Sequence, residues 1–390
     1  MFKQKTYLAA LLAAACLLAG CAKVSIREAE GDRIPVTFST YSQRSVGGKA
    51  DAGFVAPGAD FAEGAVVGVY GFYHDDSDWA TETAAGTNIA DFMYHTALTL
   101  QSDGSWTYSP IKYWPNEFGT GASSTHTDKL SFWAYYPRNA AGLNLYRSGT
   151  ATAYDNDSNG IPGAHFVVNG DIASQVDLMF SEALTDLYKS EEHEVSGDTH
   201  NYGFVTDGQV TLKLRHALSL VQFKVVSDGG SLPADAEIVI KNLTLSNVNT
   251  TADCPDPSAS FADPADAELY WGTATVPVNM TVPTGASGSN ASMLVLMPQA
   301  LAEDGATGHS LVKLTLDYDI RFPAAHDPSK YITYSDNSAE KYLWADGAEA
   351  YGVKRWLPGR RYVYNLEAGL ERIEFSEITE KSWTQEWPED

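Results

Sequence analysis

Apolar residues recur at every second position of this chain, in short runs from one end to the other. Val312, Leu314, Leu316, Tyr318 and Ile320 alternate with Lys313, Thr315, Asp317 and Asp319. A two-residue period sends successive side chains to opposite faces of an extended backbone, so this segment reads as a strand with one wet face. Leu130, Phe132, Ala134 and Tyr136 alternate with Ser131, Trp133 and Tyr135 until Pro137 ends the run. Tyr362, Tyr364 and Leu366 repeat the pattern near the C-terminus, as do Ile373 and Phe375. Ala65 to Tyr73 is apolar on both faces, as a central buried strand is. Gly, Asn, Asp and Ser separate the runs, and long helical periodicity is nearly absent. The expectation is an all-β chain.

Val210 to Val226 carries a finer signal. Val210, Leu212 and Leu214 occupy even positions, whereas Val221, Phe223 and Val225 occupy odd ones. A one-residue phase change turns every side chain to the other face, so two strands must meet at a bend across Arg215 to Ser219. His216 in that bend reads as a packed or hydrogen-bonding residue, because no partner stands at metal-ligand spacing. A short helix is expected over Ser181 to Lys189. The polar, Gly-containing stretch from Ser190 to Gly208 is expected to divide two β-sandwich domains, 51–200 and 201–390. Asp51 to Glu63 and Ala252 to Asp266 read as loops rich in small residues, Pro and Asp.

The N-terminus is of a different kind. Lys3 and Lys5 precede an apolar run from Tyr7 to Leu18, shorter than the ~20 residues a membrane-spanning helix takes. That is the secretory pattern, and residues 1–20 are expected to be a signal peptide. Leu18-Ala19-Gly20-Cys21 resembles the bacterial lipobox, in which the Cys thiol receives a diacylglycerol and the chain is cut just before it. Cys21 is therefore the expected lipidation site and first mature residue.

The formal net charge is −24. Such acidity opposes binding to nucleic acid and to anionic lipid, and no basic run offsets it. Of three cysteines, Cys16 leaves with the signal and Cys21 is acylated. Cys254 then stands alone, so no internal disulfide can form. It precedes Pro255 in a polar stretch with no activating His or Asp, and reads as an unreactive loop thiol.

Little else points to chemistry. Asp155-Asn156-Asp157-Ser158-Asn159-Gly160 resembles the start of a calcium loop, with Asp155, Asp157 and Asn159 as weak candidate ligands. Phe166 occupies the twelfth position, where a bidentate Glu belongs, so an acidic surface turn is the better reading. Trp106, Tyr108, Tyr113, Trp114, Phe118, Trp133, Tyr135 and Tyr136 could stack on sugars, although their strand-like spacing favours core and cross-strand pairing. No G-x-S-x-G, H-E-x-x-H, P-loop or dinucleotide fingerprint occurs, and no carboxylate pair stands out for glycosidic chemistry. The chain reads as a non-enzyme without cofactor.

An ordered set of segments has a wider resemblance. Ile34 to Thr40 (IPVTFST) is followed by Val67-Gly68-Val69-Tyr70, Trp106-Thr107-Tyr108 and Ile111-Lys112-Tyr113-Trp114-Pro115. Then come Leu130 to Pro137, Asp177-Leu178-Met179-Phe180, Val210 to Ser219, Met297-Pro298-Gln299 and Pro358 to Leu366. With the lipobox, this order resembles the fimbrillin-like lipoproteins of Bacteroidales-type bacteria, the type V pilins, over nearly the whole mature chain.

The resemblance implies two transthyretin-like β-sandwich domains and a structural or adhesive role in cell-surface fimbriae. It implies a lipidated precursor at the outer membrane and a protease that removes an N-terminal strand after a basic residue. It also implies a groove refilled by a strand from another fimbrial subunit, with a host glycan or protein as a further partner. Here residues 21–50 would hold the linker and first strand, with Ile34 to Thr40 the strand to be removed. Arg44 and Lys49, in a polar Gly-rich stretch, are the cleavage candidates. Ile373, Phe375 and Ile378, followed by Trp383 and Trp387, mark the candidate donor strand. A monomeric glycan-binding surface lipoprotein is the competing expectation, and a secreted hydrolase ranks behind both.

Overall fold

Two of the clearest runs in the sequence, Ala65 to Tyr73 and Leu130 to Tyr136, lie side by side at the centre of the largest sheet. The computed structural model describes residues 34–42, 61–115, 128–147, 150, 152–188, 208–227, 232, 235–259, 271–272, 275–281, 293–301, 311–345, 351–369 and 373–382. In chain order the first strands are β1 (Thr37–Ser42), β2 (Val66–His74), β3 (Met93–Leu100), β4 (Trp106–Thr107), β5 (Lys129–Tyr136), β6 (Leu143–Tyr146), β7 (Gly163–Val167), β8 (Met179–Ser181), β9 (Leu184–Leu187) and β10 (Gln209–His216). There follow β11 (Ser219–Ser227), β12 (Glu237–Cys254), β13 (Thr275–Thr281), β14 (Leu294–Leu296), β15 (Gln299–Ala300), β16 (Lys313–Ala324) and β17 (Asp327–Tyr342). The last are β18 (Trp344–Ala345), β19 (Tyr351–Gly352), β20 (Arg355–Trp356), β21 (Arg360–Ala368) and β22 (Ile373–Ser382). The one α-helix among the described residues is α1 (Trp79–Ala85).

Three sheets carry the molecule. The first has eight strands in the order β1-β10-β8-β5-β2-β3-β4, with β9 also on β5. The second is β14-β11-β21-β22, and the third is β17-β16-β12-β7-β6 with β13 also on β12. β2 and β5 are apolar on both faces because the first sheet lies between two cores. Val67, Val69, Leu130, Phe132, Ala134 and Tyr136 face one core, with Val36, Phe38 and Leu212. Tyr70, Phe72, Trp133, Tyr135 and Phe180 face the other, which continues into β11, β12, β16 and β21.

The phase change across Arg215 to Ser219 is a change of sheet. β10 ends the chain's course through the first sheet and β11 begins the second, with only Ala217 and Leu218 between them. Leu178 C=O accepts from Ala217 N–H at 2.7 Å, the Trp271 indole donates to Ala217 C=O at 2.6 Å, and His216 Nδ1 sits 2.9 Å from Asp177. The stretch Ser190 to Asp207, where the domain division was expected, lies outside the described residues. The halves also share a sheet. β12 pairs β16 and β13 along its length, and its last residues Thr251 to Cys254 pair β7.

Two expectations are corrected. Ser181 to Leu187 is not helical: Ser181 closes β8 and Leu184 to Leu187 form β9, in which Leu187 and Leu184 pair Leu130 and Phe132 of β5. The open edge of β5 offers ladder bonds and a buried face, and these outweigh a weak local helical preference. Asp186, at φ 56°, makes the irregular backbone possible, and its N–H donates to Ser131 Oγ. Ala252 to Cys254 is not loop but the end of β12, and Cys254 is fully buried. Ala252 and Cys254 point inward while Asp253 turns out to His165, so the period of two simply continues through them.

Candidate functional site: the seat of the first strand

The N-terminal segment 34–42 is held on two sides, each over a different part of its length. On one side β1 runs parallel to β10, from Thr37 opposite Gln209 to Ser42 opposite Leu214. On the other side the three residues before it meet the segment Lys112 to Trp114. Val36 N–H donates to Lys112 C=O at 2.9 Å, Trp114 N–H donates to Ile34 C=O at 3.0 Å, and Pro35 bridges Tyr113 antiparallel. Regular pairing begins at Thr37 rather than Ile34 because Pro35 has no N–H to give a ladder.

Tyr108 pins the clasp. Its hydroxyl donates to Val36 C=O at 2.7 Å and accepts from Lys112 N–H at 3.2 Å. Burial pushes this phenol above the ordinary tyrosine pKa. The Trp114 indole donates to Gly208 C=O at 2.9 Å, as does the Thr37 hydroxyl at 3.4 Å. Gly208 has φ 72°, and a Cβ there would lie 2.8 Å from Ile34 Cγ2 and 2.9 Å from Pro35 C=O. Only glycine takes this backbone without strain and lets the first strand come so close.

Two side chains fill the seat. Val36 is 1% and Phe38 4% exposed. Phe38 meets Tyr108 and Phe132 edge-on, with ring centroids 5.6 and 5.5 Å apart. Burying a Val or a Phe is worth roughly 1.5–3 kcal/mol each. Removing residues 34–42 would therefore open an aromatic pocket and leave the β10 edge unpaired, two features that together recruit an extended segment. On the outer face the Ser39 and Thr211 hydroxyls are 3.0 Å apart.

The candidate donor strand is seated differently. β22 is the outermost strand of the second sheet, antiparallel to β21 from Ile373 opposite Ala368 to Ser382 opposite Arg360. Phe375 and Ile378 are half-buried against the second core, and Phe375 lies 5.6 Å from the Tyr364 ring. Cys21, Arg44, Lys49, Phe118, Trp383 and Trp387 lie outside the described residues, as do residues 51–60 of the first expected loop.

The remaining sequence candidates are structural in character. Arg147 holds the Asp155 carboxylate, which also accepts from Ser158 Oγ and Asp157 N–H, and which lies below the ordinary carboxylate pKa chiefly through the Arg147 bond. Asn159 Oδ1 accepts from Asn88 N–H, so this oxygen-rich turn is tied into the fold. Tyr108, Trp114, Trp133, Tyr135 and Tyr136 are buried, which removes them as a sugar-stacking platform. The carboxylates of Asp75, Asp76 and Asp128 gather within 4.8 Å of one another, a cluster made by the fold that no spacing in the sequence announces.

One constellation mimics an active site. His74 Nδ1 is 2.9 Å from Glu82 and its Nε2 is 2.8 Å from Ser131 Oγ, the order of nucleophile, base and acid in a hydrolase. Both His74 and Ser131 are fully buried, and Ser131 Oγ also accepts from Asp186 N–H. No substrate can reach that hydroxyl. The trio ties α1 to the sheet, with Asp78 capping the helix start and Gly86 at φ 73° ending it.

Residues 55–383 match the family model described as fimbrillin-like. The chain belongs to the fimbrillin-like family. It is thus a subunit of a cell-surface fimbrium, a structural protein that assembles with other fimbrial subunits and not an enzyme. Among solved structures, a fimbrial protein from Bacteroides vulgatus aligns over 90% of this chain and 100% of its own, at 18% identity and TM-score 0.55. A candidate cell adhesion protein from Bacteroides uniformis aligns over 92% and 100%, at 16% identity and TM-score 0.47. The tip fimbrial protein Mfa3 from Porphyromonas gingivalis aligns over 83% and 95%, at 10% identity and TM-score 0.36. Only the first is close enough to establish a shared fold with this fimbrillin-like chain. No curated protein matches it.

Proposed function

We propose that the chain is exported as a lipoprotein acylated at Cys21, is carried to the outer membrane, and enters the fimbrium by exchanging its first strand for an extended segment of a neighbouring subunit. The seat of β1 carries this reading. An N-terminal strand that is outermost in its sheet, plugs an aromatic pocket with Val36 and Phe38, and is followed at once by Arg44 can be released by a single cut. The emptied seat then offers ladder groups and two pockets to another chain. A head-to-tail contact of that kind does not close on itself and grows into a fibre. The two halves act as transthyretin-like sandwiches, and adhesion to a host glycan or protein is the expected role of the assembled surface.

Limited trypsin treatment of the folded precursor tests this. The first cut is expected after Arg44, with Lys49 next, and the trimmed protein should form filaments visible by electron microscopy. A first cut elsewhere, or trimmed protein that stays monomeric, overturns the exchange mechanism.

A further inference from the structure

The third sheet ends in an open edge. β16 fills one side of β17, from Lys313 opposite Tyr342 to Ala324 opposite Asp327, and no described strand lies on the other. Every residue from Pro328 to Asp336 is exposed. The hairpin also outruns its sheet. β12 accompanies β16 only as far as Glu237 opposite Arg321, so Phe322 to Ile332 continue as two strands alone. An exposed edge is a row of unpaired donors and acceptors, which proteins guard with charge, proline or a bulge. Here the guards stand at the two ends of a window and not within it. Pro328 has no N–H to give. At the other end Tyr334 faces Ile320 and Asn337 faces Tyr318, so Ser335 and Asp336 bulge against the single residue Asp319. Asp336 takes φ 63°, donates its N–H to Asp319 and is held by Lys241. Between these guards runs Tyr331-Ile332-Thr333-Tyr334, β-branched and aromatic and without charge. Tyr331, Ile332 and Tyr334 are each about half exposed.

We infer that this edge pairs antiparallel with β17 of a second copy of the chain, about a two-fold axis through Ile332. Such an axis stands perpendicular to the sheet, so each face continues into its own counterpart and a residue can oppose only one of its own face. Centring on Ile332 sets Ile332 against itself, Tyr331 against Thr333 and Lys330 against Tyr334. Aromatic and β-branched cross-strand pairs stabilise a ladder, and a lysine over a tyrosine ring adds to it. Centring on Tyr331 would set Lys330 against Ile332 and leave Tyr334 out. Centring on Thr333 would draw the bulged Ser335 into the ladder. Ile332 and Tyr334 share the face of Ile320 and Phe322, with the Tyr334 ring 5.3 Å from Phe322. The pairing thus carries the apolar face of one hairpin across the axis onto the other.

Charge selects the partner. At net −24 two copies repel over most of their surface and can close only where charge is absent, as it is from Tyr331 to Tyr334. A basic partner would be drawn to the acidic surface and has no reason to choose this neutral edge. A two-fold contact closes on itself and adds no length. In a fimbrium it would join subunits side by side, and it does not depend on the strand exchange proposed above.

The untrimmed chain 21–390 with Cys21→Ser tests this, since no acyl anchor then contributes to association. Sedimentation equilibrium should show a concentration-dependent dimer that salt tightens, because screening relieves the repulsion between two acidic chains. Ile332→Lys sets two ammonium groups opposite each other and should abolish the dimer. Its site is half exposed, so the far-ultraviolet dichroism should not change. Ile332→Cys should close a disulfide across the axis on a non-reducing gel, and buried Cys254 does not compete. Tyr331→Cys and Thr333→Cys, tested singly, should not, because each lies two residues out of register with its own counterpart. A chain that stays monomeric at every concentration and salt overturns the inference. A dimer that survives Ile332→Lys places the contact elsewhere and overturns it as well. Cross-linking at 331 or 333 but not at 332 overturns the register. None of these results bears on strand exchange, which the trypsin experiment decides.

Discussion

The two terminal strands are both outermost in their sheets, yet β1 and β22 are held in opposite ways. The first segment is clasped by Lys112 to Trp114 at residues 34–36 and paired to β10 from Thr37 on, and it sinks Val36 and Phe38 to near-zero exposure, whereas β22 is paired along one edge and leaves Phe375 and Ile378 half-buried. In the proposed exchange, a cut would turn the first segment into a short, dissociable peptide. β22, with Phe375 and Ile378 half-buried, has less apolar surface to expose on leaving its place. The asymmetry would then give the proposed exchange a direction, from a buried N-terminal plug to a half-buried C-terminal strand.

The largest effect comes from alkali, because the core that backs β22 is built on buried phenols, whereas the seat of β1 holds one, Tyr108. Burial raises the pKa of Tyr70, Tyr135 and Tyr154 on the face of the first sheet turned away from the β1 seat, and of Tyr362 and Tyr364 in β21. The folded chain thus holds these protons more tightly than the unfolded one. Their contribution to stability is complete below the free-tyrosine pKa of about 10 and falls as pH climbs above it. The expected result is cooperative unfolding in the alkaline range, with tyrosinate absorbance rising in two stages: exposed phenols such as Tyr331 and Tyr334 first, the buried ones only as near-ultraviolet dichroism is lost. Complete ionisation of all phenols before unfolding would remove the buried ones as supports of the core.

Next come the two phenylalanines. Phe38→Ala should destabilise the precursor by about 3–5 kcal/mol, the usual cost of emptying a fully buried aromatic site. Phe375→Ala should cost roughly half as much, since its ring already keeps part of its surface in water. Urea denaturation of both variants measures the ratio, and equal costs would erase the distinction between buried plug and half-buried strand.

Gly208→Ala isolates the clasp from the pockets. A left-handed backbone at a non-glycine residue costs about 1–3 kcal/mol, and here the new Cβ would also press on Ile34 and Pro35. The strain falls on the clasp, at Ile34, Pro35 and the Trp114 indole, so hydrogen exchange at residues 34–42 should quicken while amides of β21 and β22 keep their protection. Uniform quickening would mean that the clasp supports the whole fold rather than the plug.

Much of this was legible in the chain. β10, β11, β16 and β21 follow from a period of two, β5 from an alternation that Trp133 and Tyr135 nearly fill, and β2 from a run apolar on both faces, because the apolar pattern is a local record of which faces are covered. The bend between β10 and β11 was legible for the same reason. Partner choice was not. Nothing near Ile34 to Thr40 says that it pairs residues 209–214, or that Tyr108, Trp114 and Gly208 close on it, because those three act on its backbone and leave no mark in its own pattern. β9 was misread because β5, not its own sequence, sets its conformation. α1 was overlooked although Asp78 and Gly86 bracket it with ordinary start and stop residues, its lack of any buried side chain leaving no apolar stripe to find.

Ser39→Ala is the smallest change and the sharpest check on where the grip lies. The Ser39 and Thr211 hydroxyls meet on the outer face, where water stands ready to replace either one. A half-exposed hydroxyl pair of this sort contributes about 0.5 kcal/mol or less, because each lost bond is returned by solvent. The urea midpoint of the precursor should therefore barely move, in contrast to the large shift from Phe38→Ala one residue away. Were Ser39→Ala to cost as much as its neighbour, β1 would be held by its outer face, and the inward pockets at Val36 and Phe38 would no longer decide which segment can take its place.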